Sequence, residues 1–225
     1  EDFLRSKGYV KPLLIGHIDG GVARVSKTKP IDTIESGPIF GIHGSAYFAQ
    51  LYDLNQVITL DVGGTTSKVG WIDEKKPVLS HENAIFDVSI KLPLIHLSSI
   101  ALGGGTVAKA DSKGNLSLGP KSMGAYPGPA CYGLGGTEAT ITDAFLMLGY
   151  LNPSYFFGGG KDLDPVKAED AIKAHLAEPL NTSVEMAALQ VIDKACDNIA
   201  DAISKSIKAD NELSSFSLFS FGGNG

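Results

Sequence analysis

Apolar and polar positions fall into a few registers along this chain, and each register predicts an element. Val57-Ile58-Thr59-Leu60 is β-prone and mostly apolar, as expected of a buried central strand. It runs into Asp61-Val62-Gly63-Gly64-Thr65-Thr66, and Ser67 to Ile72 again reads as strand. The two strands form a hairpin with the glycines in its bend, and Asp73 to Lys76 makes a charged turn after it. Upstream, Glu1 to Gly8 reads as a helix end stopped by Gly8. Val10 to Ile18 reads as a strand broken early by Pro12, with a tight turn at Asp19-Gly20-Gly21. Ser36 as N-cap and Pro38 in the first turn predict a helix from about Pro38 to Tyr52, with Gly41, Gly44 and Ala46 on one slim face.

Downstream, Ile85 to Leu97 supplies further strand, and Gly114 to Ser122 is a polar, hairpin-like stretch. Thr142 or Asp143 caps an apolar helix, Ala144 to Leu151, which Asn152-Pro153 ends. Asp164-Pro165 opens a helix to about Ala177 with Ala168, Ala171, Ile172 and Leu176 on one face. Thr182 and Glu185 have capping-box spacing ahead of the longest helix, about Val184 to Lys208. Its stripe of Leu189, Ile192, Cys196, Ile199, Ile203 and Ile207 puts Cys196 in the core. Phe216 to Phe221 alternates as a strand and enters Gly222-Gly223-Asn224-Gly225.

A hydrophobic fraction of 43% over 225 residues suffices for a sizeable core, read here as a single domain over residues 1–225. The net charge of −6, with both signs interspersed, excludes a basic nucleic-acid surface but leaves small anions open. Cys131 and Cys196 lie too far apart in sequence to suggest a disulfide framework, so a cytoplasmic setting is expected. No membrane span or signal peptide is visible, and the five histidines lack metal-ligand spacing. Both ends read as cut, at Glu1 without Met and at a strand end by Gly225, as in a piece of a longer chain.

The candidate chemistry sits at strand ends. Asp61 leaves a central strand where a carboxylate can hold a hydrated metal ion through water. Gly63 and Gly64 let a ligand approach the backbone, and Thr65 and Thr66 add hydroxyls beside N–H groups. That is the chemistry of a loop gripping phosphate oxygens, with an ordinary strand–turn–strand as the alternative. Gly103-Gly104-Gly105-Thr106 repeats this character between apolar flanks. Gly222 and Gly223 suit a flat approach to base and ribose, or a plain turn. Ser36-Gly37-Pro38 is either a cap or a ligand contact. The run from Gly124 to Gly136 is too rich in Gly and Pro for helix or central strand, and its tyrosines, Leu134 and Cys131 make it a packed loop rather than a linker. Cys131 reads as a buried thiol rather than a nucleophile. Asp143 either caps its helix or faces the ligand.

Three glycine loops at strand ends, in this order, are similar to the phosphate and adenosine loops of the actin, sugar-kinase and heat-shock chaperone ATPases. More closely, the chain resembles the hydantoinase A/5-oxoprolinase family, which includes subunits of ATP-dependent acetone and acetophenone carboxylases. The resemblance rests on Ser36-Gly37-Pro38, Asp61 to Thr65, Gly103 to Gly105, Gly119-Pro120, PGPACYG within Gly124 to Gly136, Thr142-Asp143-Ala144, Leu148-Gly149 with Leu151, and Phe221-Gly222-Gly223. It covers nearly the whole chain, and PGPACYG is its most specific part.

The resemblance implies an α/β fold, a ribonuclease H-like (actin-like ATPase) lobe with a mixed sheet flanked by helices. This would be the second ATPase lobe, with an upstream lobe of the same subunit and a second, hydantoinase B-type subunit as partners. It implies ATP and Mg²⁺, with Asp61 and Asp143 catalytic and Asp61 at the metal. Gly63, Gly64, Thr65, Thr66 and Lys68 would hold phosphates, Gly103 to Thr106 would line the cleft, and Gly222 and Gly223 would meet adenosine. The implied reaction is ATP-dependent hydrolysis of cyclic amides or imides such as hydantoins and 5-oxoproline, or ketone carboxylation. One departure matters most: the family motif ends in an acidic residue where this chain has Lys68. A lysine contacts phosphate but does not replace a metal-holding carboxylate, so a nucleotide-sensing or structural subunit is the alternative. His96 and Tyr126 also stand where an aspartate is common in the family.

Overall fold

The computed structural model describes residues 1–80, 83–85, 88–90, 94–206 and 212–224. It contains the helices and strands of an α/β chain, in two compact units. The first comprises Glu1–Thr59, Val69–Ser98 and Ser214–Phe219; the second comprises Leu60–Lys68, Ser99–Leu213 and Ser220–Gly225.

In the first unit, α1 (Asp2–Ser6) ends as expected: Gly8 has φ 86°, and the Tyr9 N–H reaches back to the Leu4 carbonyl at 3.0 Å. β1 (Leu14–Gly16) starts only after Pro12 and pairs antiparallel with β2 (Val22–Arg24) across the Asp19-Gly20-Gly21 turn. α2 (Ser36–Leu51) begins earlier than the sequence predicts, because Glu35, in the left-handed region at φ 54°, takes the N-cap position instead of Ser36. Its buried face is Ile39, Ile42, Ser45, Ala46 and Ala49, whereas Gly44 faces outward. A glycine-lined slim face is therefore not what packs.

β3 (Val57–Val62) is buried from Val57 through Leu60, as its apolar run requires. β4 (Ser67–Asp73) follows, and a turn through Glu74 and Lys75, at φ 47° and 62°, leads to β5 (Lys76–Pro77) against the end of β4. β6 (Leu79–Ser80), β7 (Asn83–Ile85), β8 (Val88–Ile90) and β9 (Leu94–Ile95) make small antiparallel pairs, β6 with β9 and β7 with β8. The strand predicted over Ile85 to Leu97 falls partly outside the described residues. Ile39, Ile42, Ala46 and Ala49 of α2 pack with Val57, Ile72 and Ile95 as the core of this unit.

The main sheet runs β10 (Leu97–Ile100), β4, β3, with β13 (Ser217–Phe221) beside β3. In the second unit, β11 (Thr106–Ala110) and β12 (Leu116–Ser122) form a hairpin; the stretch read as hairpin-like, Gly114 to Ser122, supplies only its turn end and second strand. The Asp111 carboxylate closes it, accepting from the Lys113 and Asn115 N–H groups and from Asn115 Nδ2 at 2.8–2.9 Å.

α3 (Ile141–Met147) stops sooner than predicted, because Gly149 at φ 77° lets the Tyr150 N–H close on the Phe145 carbonyl. α4 (Pro165–Ile172) is capped by Asp164 and continues as a π-helical segment, Lys173–Ala177, into α5 (Glu178–Leu180). Ala168, Ala171, Ile172 and Leu176 are buried as read.

α6 (Val184–Ser206) starts where expected but is capped by Ser183 rather than Thr182, since the Ser183 hydroxyl accepts from the Met186 N–H at 3.2 Å. It buries Ala187, Ala188, Val191, Ala195 and Ile203, and leaves Leu189 and Cys196 exposed. The expected stripe is thus turned on the helix axis, and Cys196 is not a core residue. Small side chains win the contact: Ala187 and Ala188 of α6 and Ala144 of α3 are all fully buried in one cluster, which admits close helix approach. Ile207 and Lys208 lie outside the described residues.

Ile42 is 1% exposed at the centre of the first unit's core. Ile42→Ala is expected to cost about 3 kcal/mol, read as a lowered urea midpoint at unchanged slope.

Candidate functional site

Three chain segments meet within the second unit, and backbone bonds bring them together. The Gly63 N–H closes the β3–β4 bend on the Thr66 carbonyl at 3.0 Å. The Gly104 N–H donates to the Gly63 carbonyl at 3.0 Å, and the Gly105 N–H to the Gly64 carbonyl at 2.6 Å. In a trans peptide the carbonyl of one residue and the N–H of the next point in opposite directions. Fixing the carbonyls of Gly63 and Gly64 against the triple glycine therefore turns the N–H groups of Gly64 and Thr65 away from it. Among the described residues no acceptor is found for the N–H groups of Gly64, Thr65 or Thr66, and Gly64 and Thr65 are exposed. Successive outward N–H groups on a glycine bend make an anion cradle.

This closeness is possible only without side chains. A Cβ on Gly103 would lie 2.6 Å from the Gly63 carbonyl oxygen and 2.8 Å from the backbone of Thr65. The Gly103 N–H is held by Thr106 Oγ1 at 2.8 Å, and the Thr106 N–H by the Gly103 carbonyl at 2.9 Å. Ser67 Oγ adds a buried bond to the Leu102 carbonyl at 2.6 Å. Gly103, Gly104, Gly105 and Thr106 are all buried with these N–H groups engaged. These residues, expected to line the cleft, brace the first loop from behind.

The third segment arrives at the same place. Gly222 has φ 99°, and a Cβ there would meet Asp61 Oδ1 at 2.5 Å and the Val62 backbone at 2.6 Å. The Asn224 N–H donates to the Val62 carbonyl at 3.0 Å, and its Nδ2 to the Gly63 carbonyl at 3.2 Å. Gly223 has open space around its backbone. Asp61 is half-buried; burial pushes its carboxyl above the ordinary range, and the Lys68 ammonium pulls the other way. Among the described residues, no cluster of three or more His, Cys, Asp or Glu side chains is placed to hold a metal. Asp61 offers one half-buried carboxylate here, which would fit an ion held mainly by water and by ligands other than this chain's side chains.

Asp143 has a different task. It sits fully buried at the third position of α3, where its carboxylate accepts from the N–H groups of Ala130 (3.3 Å), Cys131 (2.8 Å) and Thr140 (3.0 Å) and from Thr140 Oγ1 (2.7 Å). Thr140, not Thr142 or Asp143, is the N-cap, in a reciprocal box with Asp143. Burial raises the Asp143 carboxyl, opposed by the bonds from Thr140, Cys131 and Ala130. With both oxygens engaged inside the protein, Asp143 is an anchor for the PGPACYG segment, which corrects its reading as a catalytic group. Cys131 is likewise fully buried, its thiol pushed far up by burial and then by Asp143, which makes it an inert core thiol. One residue earlier, the Thr142 N–H holds the Gly104 carbonyl at 2.8 Å, so the start of α3 supports the triple glycine.

Asn224 and Thr142 are named in the sequence reading, but without the bonds by which they support the loop. The signal for Asn224 was a side-chain amide directly after a glycine pair; for Thr142's backbone there was none.

Fold and site together define an α/β protein whose glycine loops at strand ends close on one another and leave the Gly64 and Thr65 N–H groups facing outward. The chain belongs to the hydantoinase/oxoprolinase family, whose defining pattern matches residues 1–225. It is 40% identical to the acetophenone carboxylase gamma subunit of Aromatoleum aromaticum over 230 residues, 100% of this chain and 31% of that protein. Among solved structures, it is similar to nucleotide-free acetone carboxylase, from work on ATP-dependent acetone carboxylation, with TM-score 0.87, 31% identity and coverage of 99% of this chain and 32% of the other. It is also similar to the ATP-dependent caprolactamase of Pseudomonas jessenii, with TM-score 0.79, 34% identity and coverage of 98% and 32%. The chain thus spans about a third of the length of these relatives. Among the described residues no helix is long and apolar enough to cross a membrane.

Asp143→Ala leaves three buried N–H groups and a hydroxyl unpaired, and is expected to cost about 3 kcal/mol or more. Asp61→Asn, at a half-exposed position, is expected to move the thermal midpoint by no more than about 2 °C. Calorimetric scans of the two variants check this contrast.

Proposed function

We propose that this chain is the nucleotide-binding lobe of an ATP-dependent enzyme subunit that hydrolyses cyclic amides or imides, or carboxylates ketones. The observation that carries this reading is the pair of outward N–H groups at Gly64 and Thr65, braced from behind by Gly104 and Gly105, with the Thr66 N–H next in the chain. The names of the relatives support it, since acetone carboxylation and caprolactamase are both described as ATP-dependent. In this reading the lobe is ribonuclease H-like and the second of two. The upstream lobe of the same subunit completes the nucleotide pocket, and a second, hydantoinase B-type subunit assists. The setting is cytoplasmic.

Gly64, Thr65 and Thr66 hold phosphate oxygens through their N–H groups, and the threonine hydroxyls add donors. Asp61 orients Mg²⁺ through water, beside the phosphates. Gly223, with open space at its Cβ position, gives a flat surface for the adenosine, while Gly222 presses against Asp61. ATP with Mg²⁺ supplies the phosphoryl group that activates an oxygen of a lactam, imide or ketone substrate. Gly103 to Thr106 act by holding the first loop rigid, so no donor has to reorganise when charge arrives. Asp143 keeps the start of α3, and with it Thr142 and Gly104, in place.

A second reading has one specific observation behind it. Lys68 follows the loop where the resemblance expects an acid, and its charge acts on Asp61. A cation of the chain's own acting on Asp61, though less strongly than burial, suits a subunit that senses nucleotide without turning it over. Phosphate release from the whole subunit with Mg-ATP, assayed against hydantoins, 5-oxoproline, lactams and ketones, separates the two readings. Substrate-stimulated release supports the first; binding with no release under any substrate supports the second.

For the 225-residue chain alone, ATP binding weaker than about 100 μM and no phosphate release are expected, because half the pocket comes from elsewhere. Titration calorimetry and a phosphate assay check this; micromolar affinity by this chain overturns the two-lobe reading.

A further inference from the structure

The Gly63 carbonyl is the point on which the outward face of the first loop turns, and it carries two donors rather than one. Gly104 N–H supplies the first at 3.0 Å, and Asn224 Nδ2 the second at 3.2 Å. A carbonyl oxygen has two lone pairs, so both bonds are accommodated. The orientation of the Asn224 amide follows from chemistry: Gly63 offers only an acceptor, so Nδ2 must face it. Asn224 is itself fixed, because its backbone N–H holds the neighbouring Val62 carbonyl at 3.0 Å. Its side chain also fills the space beside Gly104, where a Cβ would come within 2.5 Å of Oδ1 and 2.7 Å of Nδ2. One side chain therefore touches all three segments: its own, the bend at Gly63, and the triple glycine.

We propose that Asn224 is a positioning residue of the anion loop, setting the plane of the Gly63–Gly64 peptide and so the direction of the Gly64 N–H. The proposal rests on the phosphate-binding reading above and adds to it how the third segment acts. That segment reaches the ligand site through the peptide it orients, in addition to any contact with adenosine. The neighbouring peptide is set differently: the Gly64 carbonyl is held by Gly105 N–H alone among these segments, which fixes the Thr65 N–H without Asn224. The two amides should accordingly respond differently when Asn224 is cut back. Asn224→Ala removes one bond to Gly63 and leaves Gly104 as the sole donor. Asn224→Asp places a carboxylate oxygen against the carbonyl, where it repels.

The test uses the 225-residue chain, ¹⁵N-labelled, titrated with inorganic tripolyphosphate and followed by amide resonances. In the unaltered chain, tripolyphosphate is expected to shift Gly64, Thr65 and Thr66. In Asn224→Ala, the Gly64 shift is expected to fall selectively while Thr65 and Thr66 still respond, with affinity roughly three- to tenfold weaker. Asn224→Asp is expected to weaken binding further than Asn224→Ala. Resonances of the second unit's core, such as Val191, report whether each variant keeps the fold. A merely structural role lowers all three loop responses together and overturns the proposal. Equal binding by Asn224→Ala, with the Gly64 response intact, overturns it and leaves the phosphate reading standing. Absence of any loop shift in the unaltered chain overturns the phosphate reading, and this proposal with it.

Discussion

Two stretches of backbone, Gly63–Gly64 and Gly103–Gly105, approach each other as closely as peptide groups can. That contact depends on the absence of side chains at Gly103, where even one carbon would meet the Gly63 carbonyl at 2.6 Å. The consequences run outward from it. Two carbonyls are turned inward and satisfied, two N–H groups are turned outward, and a bend that would otherwise flex is clamped over its length. Strand β3 delivers one side of the contact because its apolar run is buried through Leu60. The other side is delivered by the turn between β10 and β11, whose glycines are buried rather than solvated.

The support continues behind the triple glycine. Gly104 is held from the far side by the Thr142 N–H, in the first turn of α3. That turn is fixed by Asp143, which also accepts from the chain at Ala130 and Cys131. A carboxylate is costly to bury, and this one is sustained by the four donors it receives. The Gly- and Pro-rich PGPACYG segment thus serves the site from a distance: it is ordered on Asp143, and Asp143 orders the helix start that backs the loop. Catalytic-looking residues in a motif here turn out to be scaffolding, and the groups left facing outward are backbone amides.

How much of this could be read from the sequence differs by the kind of interaction. Apolar registers carried the strands β3 and β4 and the buried face of α4, because burial follows periodicity directly. The stripe on α6 came out turned because hydrophobicity favoured Leu189 and Cys196, while close packing against α3 favoured alanines, which periodicity weighs lightly. The loops were legible as glycine clusters, yet glycine spelling is the same for a loop that meets a ligand and one that meets another loop. Gly103 to Thr106 belong to the second kind, which only their bonding partners reveal. Asp143 was ambiguous for a related reason: a cap and a catalytic acid use the same residue at the same kind of position. Asn224 has its meaning through a residue 161 positions away, a relation that no local pattern contains.

The electrostatics of the first loop bear most directly on what the site does. A carboxylate beside an anion cradle is unfavourable unless a cation stands between the two charges. Asp61 sits in that position, half-buried and pressed by Gly222. Two cations are available to it in principle: a metal ion arriving with the phosphates, and Lys68, whose charge already acts on the Asp61 carboxyl. They have different consequences. A metal ion comes and goes with the nucleotide, so Asp61 contributes to binding only when the ligand is present. Lys68 belongs to the chain, so its pull on Asp61 is present before any ligand arrives, yet burial outweighs it and the carboxyl stays above its ordinary range. Catalysis draws on the difference between empty and loaded states, which a built-in counter-charge reduces. Under the proposed reading, the balance between Asp61, Lys68 and an incoming metal would separate an ATP-consuming subunit from one that registers nucleotide without consuming it.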